Sequence, residues 1–249
     1  MTTVKNIYDY INSIAPFDTQ EEWDNSGHLV GDFRAVVNCA VLSLDATKEA
    51  VAFCKDVGAE LLITHHPTIF TPLKDVKSDC LVYEMIKNGV SCISAHTNFD
   101  KAENGINENL ASILQLKNTQ QLMDGFIVVG DIDGEMSIDD FAQYVSSKLD
   151  VSGIRYTDSD KLIKRVAVGG GSCGEFMQLA LSNADCFVTG DLKYHEMLEA
   201  SQEGNAVISA GHFETENEPF LMLKNDLERI FTDVKFLTAP VSNPVKTID

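Results

Sequence analysis

The sequence contains no long apolar run. Its longest apolar stretches are only a handful of residues, whereas a membrane-spanning helix needs about 20. Residues 1–16 form an amphipathic pattern with acidic and polar residues inside it, and they lack the apolar core of a signal peptide. These absences argue against secretion and against a membrane partner, and they predict a cytoplasmic protein.

Basic residues are scarce: 19 lysines and arginines stand against 38 aspartates and glutamates, which gives a formal net charge of −19. Such a charge repels nucleic acid and anionic membranes, so neither is an expected partner. The six cysteines include no CxxC pair, and several lie inside apolar runs. We therefore expect reduced cysteines in the core rather than a disulfide framework.

No Pro-, Ser- or charge-rich linker divides the 249 residues. Strand and helix patterns alternate nearly end to end. Apolar residues 37–44 predict a buried strand, a helix follows from about Thr47 to Gly58, and a later helix begins at Ser137 with Asp140 as its capping partner. This alternation predicts an α/β fold whose sheets are flanked by helices on both faces.

The chain repeats itself. Residues 58–64, GAELLIT, resemble residues 183–189, NADCFVT, and each segment is followed by a helix and then by a similar strand end, ISAH at 93–96 and ISAGH at 208–212. A chance likeness between βαβ units is the simpler alternative. We expect two similar α/β halves, residues 1–125 and 126–249, with a metal site in the cleft between them.

Histidines and carboxylates follow four predicted strands, where α/β sheets bind their ligands. A spacing of four residues, as between His212 and Glu216, puts two side chains on one face of a helix. The candidates are His65, His66, His96, Asp100, Asp191, His195, His212 and Glu216.

Imidazoles combined with carboxylates suit zinc, iron, manganese, cobalt or nickel, whereas magnesium and calcium prefer oxygen alone. Each residue also has a structural alternative, since a lone histidine near a strand end is more often simply hydrogen-bonded. On that ground His28 is excluded, and Asp100 and Glu216 remain open to a role at helix amino termini. The adjacent pair His65 and His66 is a less common coincidence.

The glycine-rich run at residues 169–174, GGGSCG, offers a second candidate chemistry. Its backbone amides suit an anion at the start of a helix. The run lacks the lysine of a P-loop, so a tight turn between strand and helix is the preferred interpretation. Nothing in the sequence marks Ser172 or Cys173 as a nucleophile.

Five segments together resemble the family of GTP cyclohydrolase 1 type 2 homologues, which are dinuclear metal proteins. The segments are EWDNSG at 22–27, ITHHP at 63–67, SAHTNFD at 94–100, AD at 184–185 through TG at 189–190, and AGH at 210–212 through TE at 215–216. They span nearly the whole chain in the order of the family. Two positions depart from its pattern, His28 and Asp191, and the second puts in doubt any support that this carboxylate gives to a ligand.

The resemblance implies a site with two divalent transition-metal ions. His65 and His66 would each bind one ion, Asp100 would join one of them, His212 would join the other, and Glu216 would bridge both. It also implies two similar α/β halves, the short form without an inserted domain, and a toroidal homohexamer.

The leading functional hypothesis is a metal-dependent hydrolase of a small-molecule substrate. In such an enzyme His96 and His195 are candidates for general acid or base, or for orienting the metal ligands. The family name suggests opening of the purine ring of GTP, but the chain has no recognisable guanine pocket. The alternative is a non-enzymatic protein that binds or delivers metal, or a ring-shaped interaction scaffold.

Overall fold

The computed structural model describes residues 1–247, which fold as an α/β protein with two sheets. Its α-helices and β-strands, in chain order, are α1 Val4–Ile14, β1 Gly27–Val30, β2 Cys39–Ser43, α2 Lys48–Val57, β3 Leu61–Thr64, α3 Leu81–Lys87, β4 Ser91–Ser94, α4 Thr97–Asp100, α5 Ile106–Ile113, β5 Lys117–Leu122, β6 Ile127–Met136, α6 Ile138–Leu149, β7 Arg155–Tyr156, β8 Ile163–Gly169, α7 Met177–Leu181, β9 Cys186–Thr189, α8 Tyr194–Gln202, β10 Ala206–Ser209, α9 His212–Leu221, α10 Leu223–Ile230 and β11 Lys235–Thr238.

The chain forms two compact units whose limits differ from the predicted halves. The first unit comprises Met1–Ala102 and Phe220–Ser242, and the second comprises Glu103–Pro219 and the described residues from Asn243 onward. The first unit includes a segment near the end of the chain because β11 pairs in parallel with β2. The second begins before residue 125 because β5 pairs with β6 and α5 packs beside it.

The sheet of the first unit has the order β1-β4-β3-β2-β11. Four of its strands are parallel, and β1 runs antiparallel beside β4. All residues of β2, β3 and β4 are buried, as expected for parallel strands covered on both faces. Thr47 caps the start of α2 by accepting from the Ala50 amide, and Gly58 ends it in the left-handed conformation at φ 70°, so the predicted helix is confirmed.

The sheet of the second unit has the order β5-β6-β8-β9-β10-β7, with β8, β9 and β10 parallel. Alternate residues of its central strands enter two different apolar clusters: Val166, Val168 and Val188 belong to one, and Ala167 and Phe187 to the other. Because neighbouring residues of a strand point to opposite faces, both faces of this sheet are covered. The predicted fold class is confirmed.

The sequence repeat corresponds to matching strands in the two units. In the first unit Thr64 at the end of β3 lies beside Ser94 at the end of β4, and in the second Thr189 of β9 lies beside Ser209 of β10. The next residue along also repeats: the Ala95 amide donates to the Thr64 carbonyl, and the Ala210 amide donates to the Thr189 carbonyl. Each unit therefore ends two parallel strands in the same way.

None of the six cysteines, which all lie among residues 1–247, takes part in a disulfide, and five of them are buried. Burial raises the pKa of Cys54 to about 12, so this thiol stays protonated at neutral pH. Across residues 1–247, no helix is both long and apolar enough to span a bilayer.

Candidate metal centre

His65 and His66 follow β3 in a turn that is fixed by the backbone. Both of their amides donate to the carbonyl oxygen of Leu44, over 3.2 and 3.0 Å. The His65 side chain is fully buried, with Nδ1 2.8 Å from the carbonyl oxygen of Ala95 and Nε2 3.4 Å from Asp100 Oδ1. A carbonyl oxygen only accepts, so Nδ1 carries the hydrogen. In the neutral ring the lone pair is then on Nε2, the nitrogen that faces the carboxylate.

Two more histidines of the first unit are oriented in the same way. Nδ1 of His66 lies 2.6 Å from Asp45 Oδ1, and Nδ1 of His96 lies 2.8 Å from Asp24 Oδ1. One ring nitrogen from each of His65, His66 and His96 lies within 4.8 Å of the others, a group that can hold a metal ion. Carboxylate and carbonyl partners of this kind fix the tautomer of metal-binding histidines in many proteins.

Asp24 organises the segment around His96. Its buried carboxylate accepts hydrogen bonds from His96 Nδ1, from the amide and hydroxyl of Thr97, from the Ser26 hydroxyl and from the Asn25 amide. Burial on its own raises the pKa of this carboxyl, but the hydrogen bonds from His96 and Thr97 outweigh it, so the pKa lies well below its usual range. Asp24 is therefore ionised at neutral pH, and its carboxylate keeps a hydrogen on Nδ1 of His96.

Sequence reasoning gave no role to Asp24 or Asp45. Asp24 lay inside one of the segments that resemble the family, but it stands in a loop, without the periodicity that marks a strand or helix. Asp45 follows β2 at the same edge of the sheet as His65 follows β3. The rule that ligands gather beyond the carboxyl ends of strands would have found it.

The second unit contains a histidine–carboxylate pair at the start of α9. Nδ1 of His212 lies 2.7 Å from Asp191 Oδ2, and Nε2 lies 3.1 Å from Glu216 Oε2. The four-residue spacing predicted from the sequence does place both side chains on one face of the helix. Asp191 accepts from the imidazole, as Asp45 and Asp24 do in the first unit, and this contact orients the ring of His212.

The glycine-rich run is a close-packed turn beside this pair. A Cβ on Gly171 would lie 2.0 Å from Glu216 Oε1, and the φ of this residue is +60°. A Cβ on Gly170 would approach Ile106 Cγ2 to 2.8 Å. Cys173 is buried, and its thiol donates to the Gly170 carbonyl over 3.2 Å. The run therefore leaves space for Glu216, as the preferred interpretation of a tight turn anticipated.

The other two histidines lie apart from these groups. His195 is exposed on α8 with its ring 5.3 Å from that of Tyr194, and among residues 1–247 it joins no group of three side chains that can hold a metal ion. Its predicted catalytic role stays a prediction. His28 packs 4.1 Å from the Phe33 ring, and burial lowers its pKa, which agrees with its exclusion as a ligand.

Known proteins resemble the chain over almost its whole length. The sequence model of the Duf34/NIF3 (NGG1p interacting factor 3) family matches residues 2–244. A Clostridium perfringens protein named GTP cyclohydrolase 1 type 2 homolog is 32% identical over 251 residues, covering 95% of this chain and 95% of the relative. A Campylobacter jejuni protein of the same name is 35% identical over 233 residues, covering 91% and 92%.

Solved structures share the fold. A hypothetical protein from Staphylococcus aureus superposes with a TM-score of 0.92 at 26% identity, covering 99% of both chains. A Bacillus cereus protein related to NIF3 has a TM-score of 0.90 at 21% identity, again covering 99% of both chains. The chain belongs to the Duf34/NIF3 family, and the resemblance drawn from the five sequence segments is confirmed.

Proposed function

We propose that this member of the Duf34/NIF3 family is a metal-dependent hydrolase. Its metal ligands are His65, His66 and Asp100 in the first unit and His212 and Glu216 in the second. One observation carries the proposal: each unit presents an imidazole whose Nδ1 is held by an acceptor and whose Nε2 faces a carboxylate, at 3.4 Å for His65 and Asp100 and at 3.1 Å for His212 and Glu216.

The donor chemistry supports a transition metal. Neutral imidazole nitrogens and carboxylate oxygens are the ligands of zinc, iron, manganese, cobalt and nickel sites, whereas an oxygen-only set would favour magnesium or calcium. Nε2 of His65 lies in a fully buried side chain opposite a carboxylate, an arrangement that a cation between the two would stabilise. The number of ions, two, and the bridging role of Glu216 come from the family resemblance and are part of the proposal.

When bound, such cations supply Lewis acidity that activates water and polarises a substrate oxygen. The side chain best placed to move a proton beside them is His96. Asp24 keeps the hydrogen on its Nδ1, so Nε2 is the basic atom and can accept a proton from a nucleophile or return it to a leaving group.

The names of the relatives favour a cyclohydrolase as the first reaction to test. The Clostridium perfringens and Campylobacter jejuni proteins are both named GTP cyclohydrolase 1 type 2 homolog. That reaction class opens a heterocyclic ring with water, which is a hydrolysis of the kind that the proposed centre would support.

The experiment is a turnover assay on protein loaded with each candidate metal in turn, against GTP, phosphoesters and cyclic amides. We expect hydrolysis of one class, lost in His66→Ala and in His212→Ala. His28→Gln is the matched control, since His28 lies in the Phe33 contact away from both groups, and it should keep full activity. Fully loaded protein that turns over none of these classes would refute the hydrolase and favour the non-enzymatic metal-binding alternative.

A further inference from the structure

Two exposed aromatic rings lie beside His96 in the first unit. Trp23, the single tryptophan of the chain, is 60% exposed, and Phe70 is 52% exposed. Their ring centroids lie 6.0 Å apart, and each ring meets His96 nearly edge-on, at 6.0 and 6.4 Å. Large apolar rings at such exposure lose the free energy that burial would provide, so this adjacent pair beside His96 is a candidate binding surface.

The backbone around both rings is held in place. Asp24, next to Trp23, is fixed by its hydrogen bonds to His96 and Thr97. The Asn25 side-chain amide donates to the carbonyl oxygen of Ile69 over 2.5 Å, and this bond ties the loop of Trp23 to the loop of Phe70. The residues next to Trp23 and Phe70 in the chain are thus held by polar contacts, while the two rings themselves stay exposed.

The rings are also the outer part of a continuous aromatic group. His96 lies 5.1 Å from the ring of His65 and 5.6 Å from that of His66, and His65 packs 5.7 Å from the buried Phe220. The group therefore leads from the exposed Trp23 and Phe70 inward to the imidazoles that are proposed to bind metal.

We propose that Trp23 and Phe70 bind the planar heteroaromatic ring of the substrate and hold it beside His96. This inference rests on the proposed function and names the class of substrate. A flat π-system stacks on indole and phenyl faces with any substitution pattern, so these residues would select for planarity. A stacked ring would present its edge to Nε2 of His96 and to the neighbouring imidazoles.

A second protein copy is the competing occupant of this surface. A macromolecule seated on Trp23 and Phe70 would also cover His96, whose side chain is only 16% exposed, and would close the imidazole group to any substrate from this side. A small planar ligand would use the same surface and would leave the imidazoles in contact with the reacting group of that ligand. The continuity with His65 and His66 therefore favours the small planar ligand.

Trp23 itself is the reporter for the test, because its emission is the only indole emission of the chain. Metal-loaded protein is titrated with inosine and with cytidine, and ribose serves as the probe without a heteroaromatic ring. We expect saturable quenching by at least one nucleoside and none by ribose. Phe70→Leu, which keeps an apolar side chain but removes the ring, should weaken binding about tenfold, within the range for one base–aromatic stack.

Phe33→Leu is the matched control. Phe33 is a partly exposed phenylalanine of the same unit that packs on Tyr8 and His28 instead, so its replacement should leave the titration unchanged. Metal content is measured on every variant and should equal that of the original chain.

Three results would overturn the inference. The first is that neither nucleoside quenches the emission up to millimolar concentration, and the second is that the Phe70→Leu variant binds as tightly as the original chain. The third is an emission maximum that shifts with protein concentration but does not change when nucleosides are added, which would place a second copy on Trp23. If the protein meanwhile binds metal and hydrolyses a substrate, the proposed function survives this failure. If the protein binds no transition metal at all, the proposed function is refuted, whatever the nucleoside titration shows.

Discussion

Replacing Asp24 by asparagine tests how the first unit holds its histidines. The side chain of Asp24 has 0% exposure and accepts five hydrogen bonds. An asparagine has one accepting oxygen, so its NH₂ group must face either the two donors on Oδ1, His96 Nδ1 and the Asn25 amide, or the three donors on Oδ2 from Ser26 and Thr97. At about 1.5–3 kcal/mol for each hydrogen bond to a charged group, the loss of the two bonds on Oδ1 lowers the free energy of unfolding by roughly 3–6 kcal/mol.

The matched comparison is Asp45→Asn. Asp45 also accepts from a histidine, over 2.6 Å to His66 Nδ1, but its side chain is 41% exposed. Water compensates for most of that contact, so we expect a loss below about 1 kcal/mol. Urea unfolding at neutral pH, with a chelator present so that metal binding does not contribute, measures both variants. Equal losses in the two variants would refute the claim that the buried Asp24 network, rather than any aspartate–histidine contact, stabilises this region.

The same network has a defined pH dependence. The pKa of Asp24 in the folded chain lies below its usual value, while in the unfolded chain it is near 3.9. A lowered carboxyl pKa contributes stability that is complete above the unfolded value and is lost as the pH falls through the folded one. The stability difference between the original chain and Asp24→Asn should thus shrink as the pH falls below about 4. A difference that grows over this acid range would contradict the sign.

The remaining predictions concern the second unit, the metal and the assembly. Gly171→Ala should cost the backbone strain of about 1 kcal/mol at its φ of +60° and should also displace the buried Glu216 carboxylate, whose Oε1 would lie 2.0 Å from the added Cβ. Gly204→Ala, at a φ of +67° with nothing within 4 Å, should cost only the backbone strain of about 1 kcal/mol. Glu216→Ala should lose most of both metal ions by elemental analysis, and retention of two ions would exclude the bridging role. Chelation of metal-containing protein should lower its melting temperature by mass action, and His66→Ala should remove much of that dependence, whereas an unchanged melting curve would count against these ligands. Light scattering should give the mass of the hexamer that the family resemblance implies, and a monomer mass at micromolar concentrations would reject it.

The parts of the fold that could be predicted are those with a local signal. Strand β3 is an apolar run that is followed by a pair of histidines, and α2 has a threonine before it and a glycine after it. The capping of α6 by Ser137 and Asp140 was also readable. Strand β5, by contrast, reads KNTQQL and is almost wholly exposed. It forms because β6 offers an edge to pair with, and no apolar pattern reveals such a strand.

The candidate site likewise consists of residues that the sequence indicates and of partners that it does not. His65, His66, His212 and Glu216 stand at strand or helix ends that the sequence indicates. Their partners depend on contacts between residues far apart in the chain: Asp24 and His96 are separated by 72 positions. The carbonyl oxygen of Ala95 that orients His65 belongs to the backbone and has no sequence signature. The limits of the two units were likewise hidden, since the return of β11 to the first sheet rests on a pairing across nearly the whole chain.

The two units contain the same kind of histidine–carboxylate pair, but they carry different residues at the matching strand ends. The residue that follows β3 is His65, and the residue that follows the matching strand β9 is Gly190. A Cβ at Gly190 would lie 2.6 Å from the Gly171 carbonyl oxygen and 2.8 Å from His212 Cα, so the second unit has no room for a side chain there. Its histidine comes instead from the end of the neighbouring strand, where His212 starts α9 and meets a carboxylate four residues later. Both units thereby arrive at an imidazole with a fixed Nδ1 and a carboxylate opposite Nε2. The same arrangement is thus reached through different strand ends, and the strand that delivers the histidine is set by the space available in each unit.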